Sequence, residues 1–513
     1  MTAKRPRMVS IACSLFVVGL FLLSCLQTGV SIPLLIRRGS HFTDIVSAMF
    51  PPDSGFIRTI LPLLWATIQM SITGTVIGSL LALLAAPLCA AVIPGNPIAK
   101  KLFRAVIQIL RAFPALILAL FATFLFGLSS FSGTVAIGVY TFAILTRLTY
   151  EDLENAPIGP FLAMQAMGIR RFPAYCRALV PEIATSYLTN VLYLLEANVR
   201  HSAILGYVGA GGIGLLLNEK VAWREYNKVG MILILLFVTV WILEQLGTLI
   251  TQVIQGERQI RPRTKRFLIA AFVLLFLYST MTLQGPDFSH TSTAMLKKMA
   301  YGITHPDWSL FLGTGSDSIG YLLIETVCIA FAGTLIGAFL AVLLVFWNSR
   351  RIVSAPVAWV MRTVIAAIRS VPFLIYGLIL IRVTGPGSFA GVLTLAMCSV
   401  GLLCKRFTQA IDAMDLRAVQ ALSAMGTPLL PRLTRGMLPQ LYAPFASAVL
   451  YRFDVNIREA SVLGLVGAGG IGAPLIFAMN QYAWDKAAAI SIGLVLLSWI
   501  VDFLSGKIRR KLK

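Results

Sequence analysis

Charged residues are scarce in this chain. They make up 12% of its 513 residues, and 58% of the residues are hydrophobic, whereas soluble domains contain about 25% charged residues. This balance excludes a soluble protein folded around a single core. Apolar stretches long enough to span a bilayer, about 20 residues each, recur along the sequence. The fold class predicted is therefore an all-α polytopic membrane protein.

The sequence lacks the clusters and motifs that enzymes use for metal binding, nucleophilic attack or phosphate binding. The four histidines are scattered, at positions 41, 201, 290 and 305, and offer no cluster to a membrane enzyme. The seven cysteines contain no C-x-x-C pair, which argues against a zinc site. No Walker A motif occurs, because the one Gly-Lys pair, at Gly506, has Val501 where the first glycine should stand. We expect no cofactor in this chain; if it is ATP-driven, a partner binds ATP and magnesium.

Basic residues outnumber acidic ones by 43 to 21, for a net charge of +22. They concentrate in three clusters that flank apolar stretches, at 4–7, 258–266 and 507–513. This placement is typical of cytoplasmic anchors under the positive-inside rule and not of a nucleic-acid-binding patch. We therefore expect a multi-pass protein of the cytoplasmic (inner) membrane with both termini cytoplasmic, the lipid bilayer as its surroundings and no nucleic acid as partner.

The chain is a tandem duplication. "VGAGGIG" occurs at 208–214 and again, 258 residues later, at 466–472, and the same shift carries "RAFP" at 111 onto "RSVP" at 369. Between 196–214 and 454–472, eleven of nineteen positions are identical. Two copies of one fold follow: a first half at 1–253, a basic cytoplasmic connector at 254–266 and a second half at 267–513. The predicted spans, six in each half, are 9–27, 60–92, 104–127, 131–147, 182–199 and 229–252, then 267–284, 319–347, 356–382, 386–403, 440–457 and 486–504.

The repeated glycine motif contains G-x-G-x-x-G, the fingerprint of a dinucleotide site. That site needs a strand before the motif and a βαβ unit around it, but here a stretch of helical length precedes it within a membrane domain. Glycines also allow close backbone approach between membrane helices. The sequence favours a tightly packed bend between the fifth and sixth spans, built on Gly209, Gly211, Gly212 and Gly214 in the first half and on Gly467, Gly469, Gly470 and Gly472 in the second.

A long loop precedes the fifth span in each half. It reads "AMQAMGIRRFPAYCRALVP" at 163–181 and "AVQALSAMGTPLLPRLTRGMLP" at 418–439. Each copy has a short helical piece, a glycine that can end it, a basic amphipathic stretch and a proline. A helix lying along the lipid headgroups would explain one such loop. Repetition at the same distance from the glycine motif favours docking of a partner.

These loops resemble the coupling loops of ABC-importer permeases. Together with R-x-x-P at 111–114 and 369–372, N-[VI]-R at 198–200 and 456–458 and "LG-x-VGAGGIG", they make the chain similar to phosphonate-importer permeases, with two halves fused. The resemblance implies the type I ABC-importer permease fold and alternating access. It also implies two copies of a cytoplasmic ATPase subunit as partners. The ATPase contacts implied are Ala166, Met167 and Gly168, and Ala424, Met425 and Gly426.

An extracytoplasmic solute-binding protein is the other expected partner. The long outer segments at about 28–58 and 285–318 offer it a surface.

Ionisable residues inside the fifth spans mark a candidate solute pathway, since such residues are costly in a membrane and usually face a cavity or one another. The candidates are Glu196, Asn198 and Arg200, and Arg452, Asp454, Asn456 and Arg458. The carboxylates and arginines four residues apart share a helix face. They form an ion pair that only holds the helix in place, or the arginines attract an anion, which their planar fork suits. Arg452 has Leu194 as its counterpart, and Glu459 has His201, so the pathway is expected to be asymmetric.

The resemblance thus predicts a permease subunit that moves phosphonate or a related oxyanion into the cytoplasm and is not itself an enzyme. An importer for phosphite, a phosphate ester or an amino acid remains open. So does a twelve-span secondary transporter, which would leave the duplicated docking loops unexplained. A channel would conduct without ATP and without a binding protein.

Overall fold

The computed structural model describes residues 4–93, 95–256, 261–286, 293–313, 315, 317–428 and 431–512. Residues 257–260 of the predicted connector lie outside the described residues, as does His290. Within the described ranges every regular element is a helix. This confirms the predicted all-α class.

The helices of the first half follow one another with short connections. They are α1 (Lys4–Gln27), α2 (Ile32–Ala48), α3 (Ile57–Cys89), α4 (Pro97–Ala112), α5 (Ala115–Phe126), α6 (Ser130–Asn155), α7 (Gly159–Ala166), α8 (Arg171–Ala174), α9 (Val180–Leu205), α10 (Ile213–Ala222) and α11 (Tyr226–Ile254).

The second half repeats this order. Its helices are α12 (Pro262–Met281), α13 (Thr293–Thr304), α14 (Ser309–Leu312), α15 (Ile319–Asn348), α16 (Ala355–Ser370), α17 (Phe373–Thr384), α18 (Ser388–Ala413), α19 (Arg417–Ala424), α20 (Leu438–Leu463), α21 (Gly472–Asn480) and α22 (Trp484–Leu512).

Eight helices among the described residues are long and apolar enough to cross a membrane, or up to eleven if each of three bent pairs counts as one span. The sequence predicts twelve. The difference is α20, which has the length of a span but is not among these helices. It carries Arg452, Asp454, Arg458 and Glu459, whose hydration makes a lipid-facing position costly.

The predicted third span of each half is broken rather than continuous. Helices α4 and α5 meet at 93°, and α16 and α17 at 85°. The break falls at the proline of the R-x-x-P motif, where Phe113 and Val371 have extended backbone before Pro114 and Pro372. A residue before proline disfavours the helical conformation, so the motif ends one helix and allows the next to start in a new direction.

Contacts divide the chain into two compact units, Ala48–Lys297 on the one hand and Met1–Ser47 with Lys298–Lys513 on the other. In the first unit α3 packs against α6 and α9, and α12 packs on α3. In the second, α15 packs against α18 and α20, and α1 packs on α15. The first helix of each sequence half thus belongs to the unit built mainly from the other half. The sequence boundaries at 254 and 266 stay a prediction.

The glycine motif forms a backbone reversal in both units. After α9 a single 3₁₀ turn, Gly206–Val208, leads to Gly209, Gly211 and Gly212, all with φ between +77° and +80°. The second copy has Gly467, Gly469 and Gly470 at +80° to +81°. Side chains disfavour this left-handed region, which explains the need for glycine.

Close packing explains the last glycine of each motif. A Cβ on Gly214 would overlap the carbonyl oxygen of Ala203, and one on Gly472 would overlap that of Ser461. The amide at the start of the following short helix is also occupied, since Ile213 N donates to Thr67 Oγ1 at 2.9 Å and Ile471 N to Thr326 Oγ1 at 3.0 Å. The reversal therefore packs α9 against α10, and α20 against α21, rather than presenting amides to a phosphate.

We predict that Gly472→Ala destabilises the protein by about 1–3 kcal/mol, because the added methyl has no space beside Ser461. The melting temperature of the purified chain in detergent measures the effect. Gly247→Ala is the matched control: Gly247 lies within α11 with nothing within 4 Å of its Cβ position. Equal melting temperatures for the two variants would contradict the packing role.

Candidate functional site

A buried asparagine joins three helices in the unit Ala48–Lys297. Asn198 of α9 has no exposed surface. Its Nδ2 donates to Thr75 Oγ1 of α3 and to Thr141 Oγ1 of α6, both at 2.8 Å. Because lipid offers no partner for a polar group, these bonds fix the three helices in one register.

The other unit repeats this arrangement. Asn456 of α20 is likewise fully buried. It donates to Thr334 Oγ1 of α15 at 2.7 Å and to Ser399 Oγ of α18 at 2.9 Å. Both asparagines were predicted to contact solute. Their burial gives them a packing role in this structure, and contact with solute stays a prediction.

An arginine and a carboxylate flank each asparagine on the same helix, each two residues away from it, and form an ion pair with one another. Arg200 Nη1 donates to Glu196 Oε1 at 2.7 Å, with side chains 15% and 12% exposed. Arg458 contacts Asp454 through both guanidinium ends, at 3.2 and 3.1 Å. The arginines thus keep some accessible surface although their charges are balanced, which is the arrangement needed to meet an anion without holding it permanently.

The two units differ at two further positions of the fifth span, which are seven residues, or two helical turns, apart. Arg452 is 2% exposed. Its Nη1 and Nη2 donate to Glu459 Oε1 and Oε2 at 3.3 and 2.7 Å, and its Nε donates to Ser399 Oγ at 3.0 Å. In the first half, Leu194 and His201 occupy these positions, and the His201 ring stands edge-on to Tyr140 at 5.2 Å. The predicted asymmetry is therefore an ion pair in one unit and an apolar and aromatic contact in the other.

The locked geometry of Arg452 bears on its predicted place in the pathway. All three of its described contacts are within its own unit, and removing one partner of such a buried pair leaves an uncompensated charge. The geometry favours a structural role, so its contact with solute also stays a prediction.

The loop before the fifth span has the same form in both halves. Helix α7 ends at Ala166, and Gly168 has φ +79° with Ile169 N bonded back to Met164 O at 3.1 Å. Helix α19 ends at Ala424, and Gly426 has φ +69°. A π-helical turn follows in each, at Tyr175–Leu179 and Arg432–Met437. Residues 429–430 of the second loop lie outside the described residues.

Each loop presents one large apolar side chain at its tip. Met167 is 71% exposed and Met425 is 68% exposed. Behind the first tip, Phe161 and Tyr175 are buried against the end of α3. A rigid loop with an exposed methionine is suited to bind in a complementary cleft of a partner.

A short-range ion pair orders the start of the second loop. Asp415 accepts a hydrogen bond from Arg417 Nε at 2.8 Å and another from the Arg417 amide at 2.9 Å. These bonds hold the pKa of Asp415 below its usual value. The carboxylate therefore stays charged at the start of α19, where a negative charge is favourable.

The hydroxyl partners of the asparagines belong to the same buried contacts, and sequence reasoning missed them. Thr75 and Thr334 begin "TVIG" and "TLIG", which are aligned landmarks of the two halves. Thr141 and Ser399 align under the 258-residue shift. A search for hydroxyl residues at corresponding positions of both halves would have found them.

Comparison with known proteins gives a family match in both halves. The family described as "Binding-protein-dependent transport system inner membrane component" matches residues 74–256 and 333–513. Each match contains the asparagine, the arginine–carboxylate pair, the loop before the fifth span and the glycine motif of its half.

Individual relatives cover the chain to different extents. The phosphate-import permease protein PhnE of Mycolicibacterium smegmatis is 28% identical over 93% of this chain and 90% of its own length. The phosphite transport system permease protein PtxC of Stutzerimonas stutzeri is 35% identical over 37% of this chain and 70% of its own. The putative cryptic phosphonate transport system permease protein PhnE2 of Escherichia coli is 34% identical over 23% of this chain and 98% of its own.

Two family matches that together cover most of the chain, in a structure whose halves repeat the same helices and the same buried contacts, show that the chain belongs to the binding-protein-dependent transport system inner membrane component family.

Proposed function

We propose that this protein is the permease subunit of an ATP-driven importer that moves phosphonate or a related phosphorus oxyanion into the cytoplasm. The observation that carries the substrate class is the similarity to permeases named for phosphate, phosphite and phosphonate, one of them along 93% of this chain. These solutes share a tetrahedral phosphorus with anionic oxygens, the chemistry that a guanidinium fork recognises.

The energy for transport comes from two copies of a cytoplasmic ATPase subunit, which bind ATP and magnesium. One copy meets Met167 and Gly168, and the other meets Met425 and Gly426. An extracytoplasmic binding protein delivers the solute. Both termini and the basic connector are cytoplasmic in this proposal, which the positive-inside rule supports.

The proposed mechanism is alternating access. ATP binding draws the two coupling loops together and opens the pathway to the loaded binding protein, and hydrolysis returns it to the inside. Arg200 and Arg458 attract the anion during passage, while Glu196 and Asp454 compete for each guanidinium and so prevent a trapped complex. The buried asparagines keep each fifth span fixed to its neighbours as the units move.

We predict that deleting the gene abolishes growth on phosphonates as the single phosphorus source and that restoring the chain recovers it. Phosphite, phosphate esters and phosphate complete the panel. Loss confined to one of these would assign that oxyanion instead. Unchanged growth on every source, in a host without a redundant system, would remove phosphorus compounds as the cargo.

We predict that Arg200→Ala combined with Arg458→Ala reduces uptake at least tenfold while the ATPase still copurifies, because the anion loses its two charged partners. Arg200→Lys with Arg458→Lys, which keeps both charges, is the matched control and should retain more uptake. Normal transport by the double alanine variant would show that the two ion pairs serve only in helix packing and do not contact the solute.

We predict that Met167→Asp and Met425→Asp each weaken copurification of the ATPase about tenfold, since a buried apolar contact at an interface centre is replaced by a charge. Trp223→Asp is the control, because Trp223 is 65% exposed but lies just beyond α10, near the opposite end of α9. Comparing the two methionine variants measures whether both halves couple equally. Full copurification of both would place ATPase docking elsewhere.

A further inference from the structure

A cavity of about 310 Å³ lies at the end of α3, where the chain turns into α4. Its lining is basic and includes Lys100, Lys101 and Arg104, with Ile93 and Gly95 as neighbours. This volume is at the small end of the range for ligand cavities. Neither the coupling loops nor the solute pathway uses this cavity.

The basic side chains are held in position by the end of α3. Lys100 Nζ donates to the carbonyl oxygens of Ile93 and Ala91, and Arg104 Nε donates to Cys89 O at 2.7 Å. Arg104 also pairs with Glu154 of α6. An ammonium has three donors and a guanidinium five, more than these contacts occupy. Three cations beside one carboxylate leave a positive site with donors available to an anion.

Helix α4 has the pattern of a helix that lies in a membrane surface. One face exposes Ile98, Leu102, Val106 and Ile109, spaced three or four residues apart, and the opposite face carries the basic residues of the cavity. The bend between α4 and α5 is 93°, which would allow α4 to lie along the membrane surface while α5 enters the apolar layer. A basic amphipathic helix of this kind binds anionic membrane surfaces.

The second half keeps the scaffold of this site but places its basic residues differently. Arg362 matches Arg104: its Nε donates to Asn348 O at 3.1 Å, and its Nη2 lies 3.5 Å from Asp412 Oδ2. The positions of Lys100 and Lys101 are taken by Ala358, which is buried, and Trp359. The two lysines therefore belong to the first half alone, whereas the corner of the second half carries Arg350 and Arg351 at the positions of Val92 and Ile93.

We propose that the cavity between α3 and α4 binds the headgroup of one anionic phospholipid from the cytoplasmic leaflet. The phosphate would meet Lys100, Lys101 and Arg104, and the acyl chains would lie along the apolar face of α4. The cytoplasmic assignment rests on the orientation in the proposed function. Basic pockets beside membrane helices on that side bind such headgroups.

The site has a connection to the first coupling loop. Ile93 lines the cavity and also belongs to the buried cluster that holds Phe161 of α7 and Tyr175. A lipid bound here would therefore steady the base of the first coupling loop.

The test is lipid binding by the full chain in neutral detergent, followed by native mass spectrometry. Phosphatidylglycerol is titrated against phosphatidylcholine with the same acyl chains. We expect one tight phosphatidylglycerol per chain, and Lys100→Gln with Lys101→Gln to weaken it about 30-fold, the effect of two surface charges. Arg261→Gln with Arg263→Gln, two exposed arginines at the start of α12, is the matched control and should bind as the unaltered chain does.

Several results would overturn the proposal. These are equal binding by the lysine and control variants, equal binding of the two lipids, or displacement of the lipid by millimolar inorganic phosphate, which would indicate a free-phosphate site. Unchanged lipid binding with loss of ATPase copurification would make the patch a protein contact. If the glutamine variant does not fold, Lys100→Arg with Lys101→Arg must retain binding, and Lys101→Gln alone must weaken it.

The binding assay needs neither solute nor ATP. Its outcome is therefore separate from that of the growth panel, and either proposal can fail while the other holds.

Discussion

The packing of the fifth span in each unit depends on the hydrogen bonds of one buried asparagine. A membrane interior provides no water to satisfy a polar side chain, so Asn198 and Asn456 must bond to the two hydroxyls that face them. An individual bond of this kind contributes modestly, about 0.6 kcal/mol on average in a membrane protein. Its value lies in specificity, because any slip of the fifth span along its neighbours would leave donor and acceptors unpaired.

The same constraint accounts for the charges around the asparagine. Arg200 and Arg458 are tolerated within a membrane helix because a carboxylate one turn away balances the charge of each. Arg452 carries this furthest, because each of its three nitrogens donates to a carboxylate or a hydroxyl. The two units therefore share the same buried asparagine contacts but differ in the charges placed around them.

The sequence predicted the all-helical class and the duplication well, because apolar length and repeated landmarks are local properties. The near right angle at the R-x-x-P proline was not predicted, because it depends on how α4 and α5 each bury their apolar faces, which no local pattern specifies. The Arg452–Glu459 pair was missed since its partners are two turns apart and the geometry is set by Ser399 on another helix. Apolar length likewise does not identify α20 as a span, because Arg452, Asp454, Arg458 and Glu459 lie within this helix of spanning length.

The exchange of first helices between the units has a consequence for biogenesis. Helix α1 ends at Gln27, but its packing partner α15 begins at Ile319. At about 5–20 residues per second of synthesis, α1 waits on the order of 15–60 s in the bilayer before its partner is made. During that interval the face of α1 that packs on α15 is exposed to lipid or to the insertion machinery. Helix α1 is therefore made long before the helix it packs against.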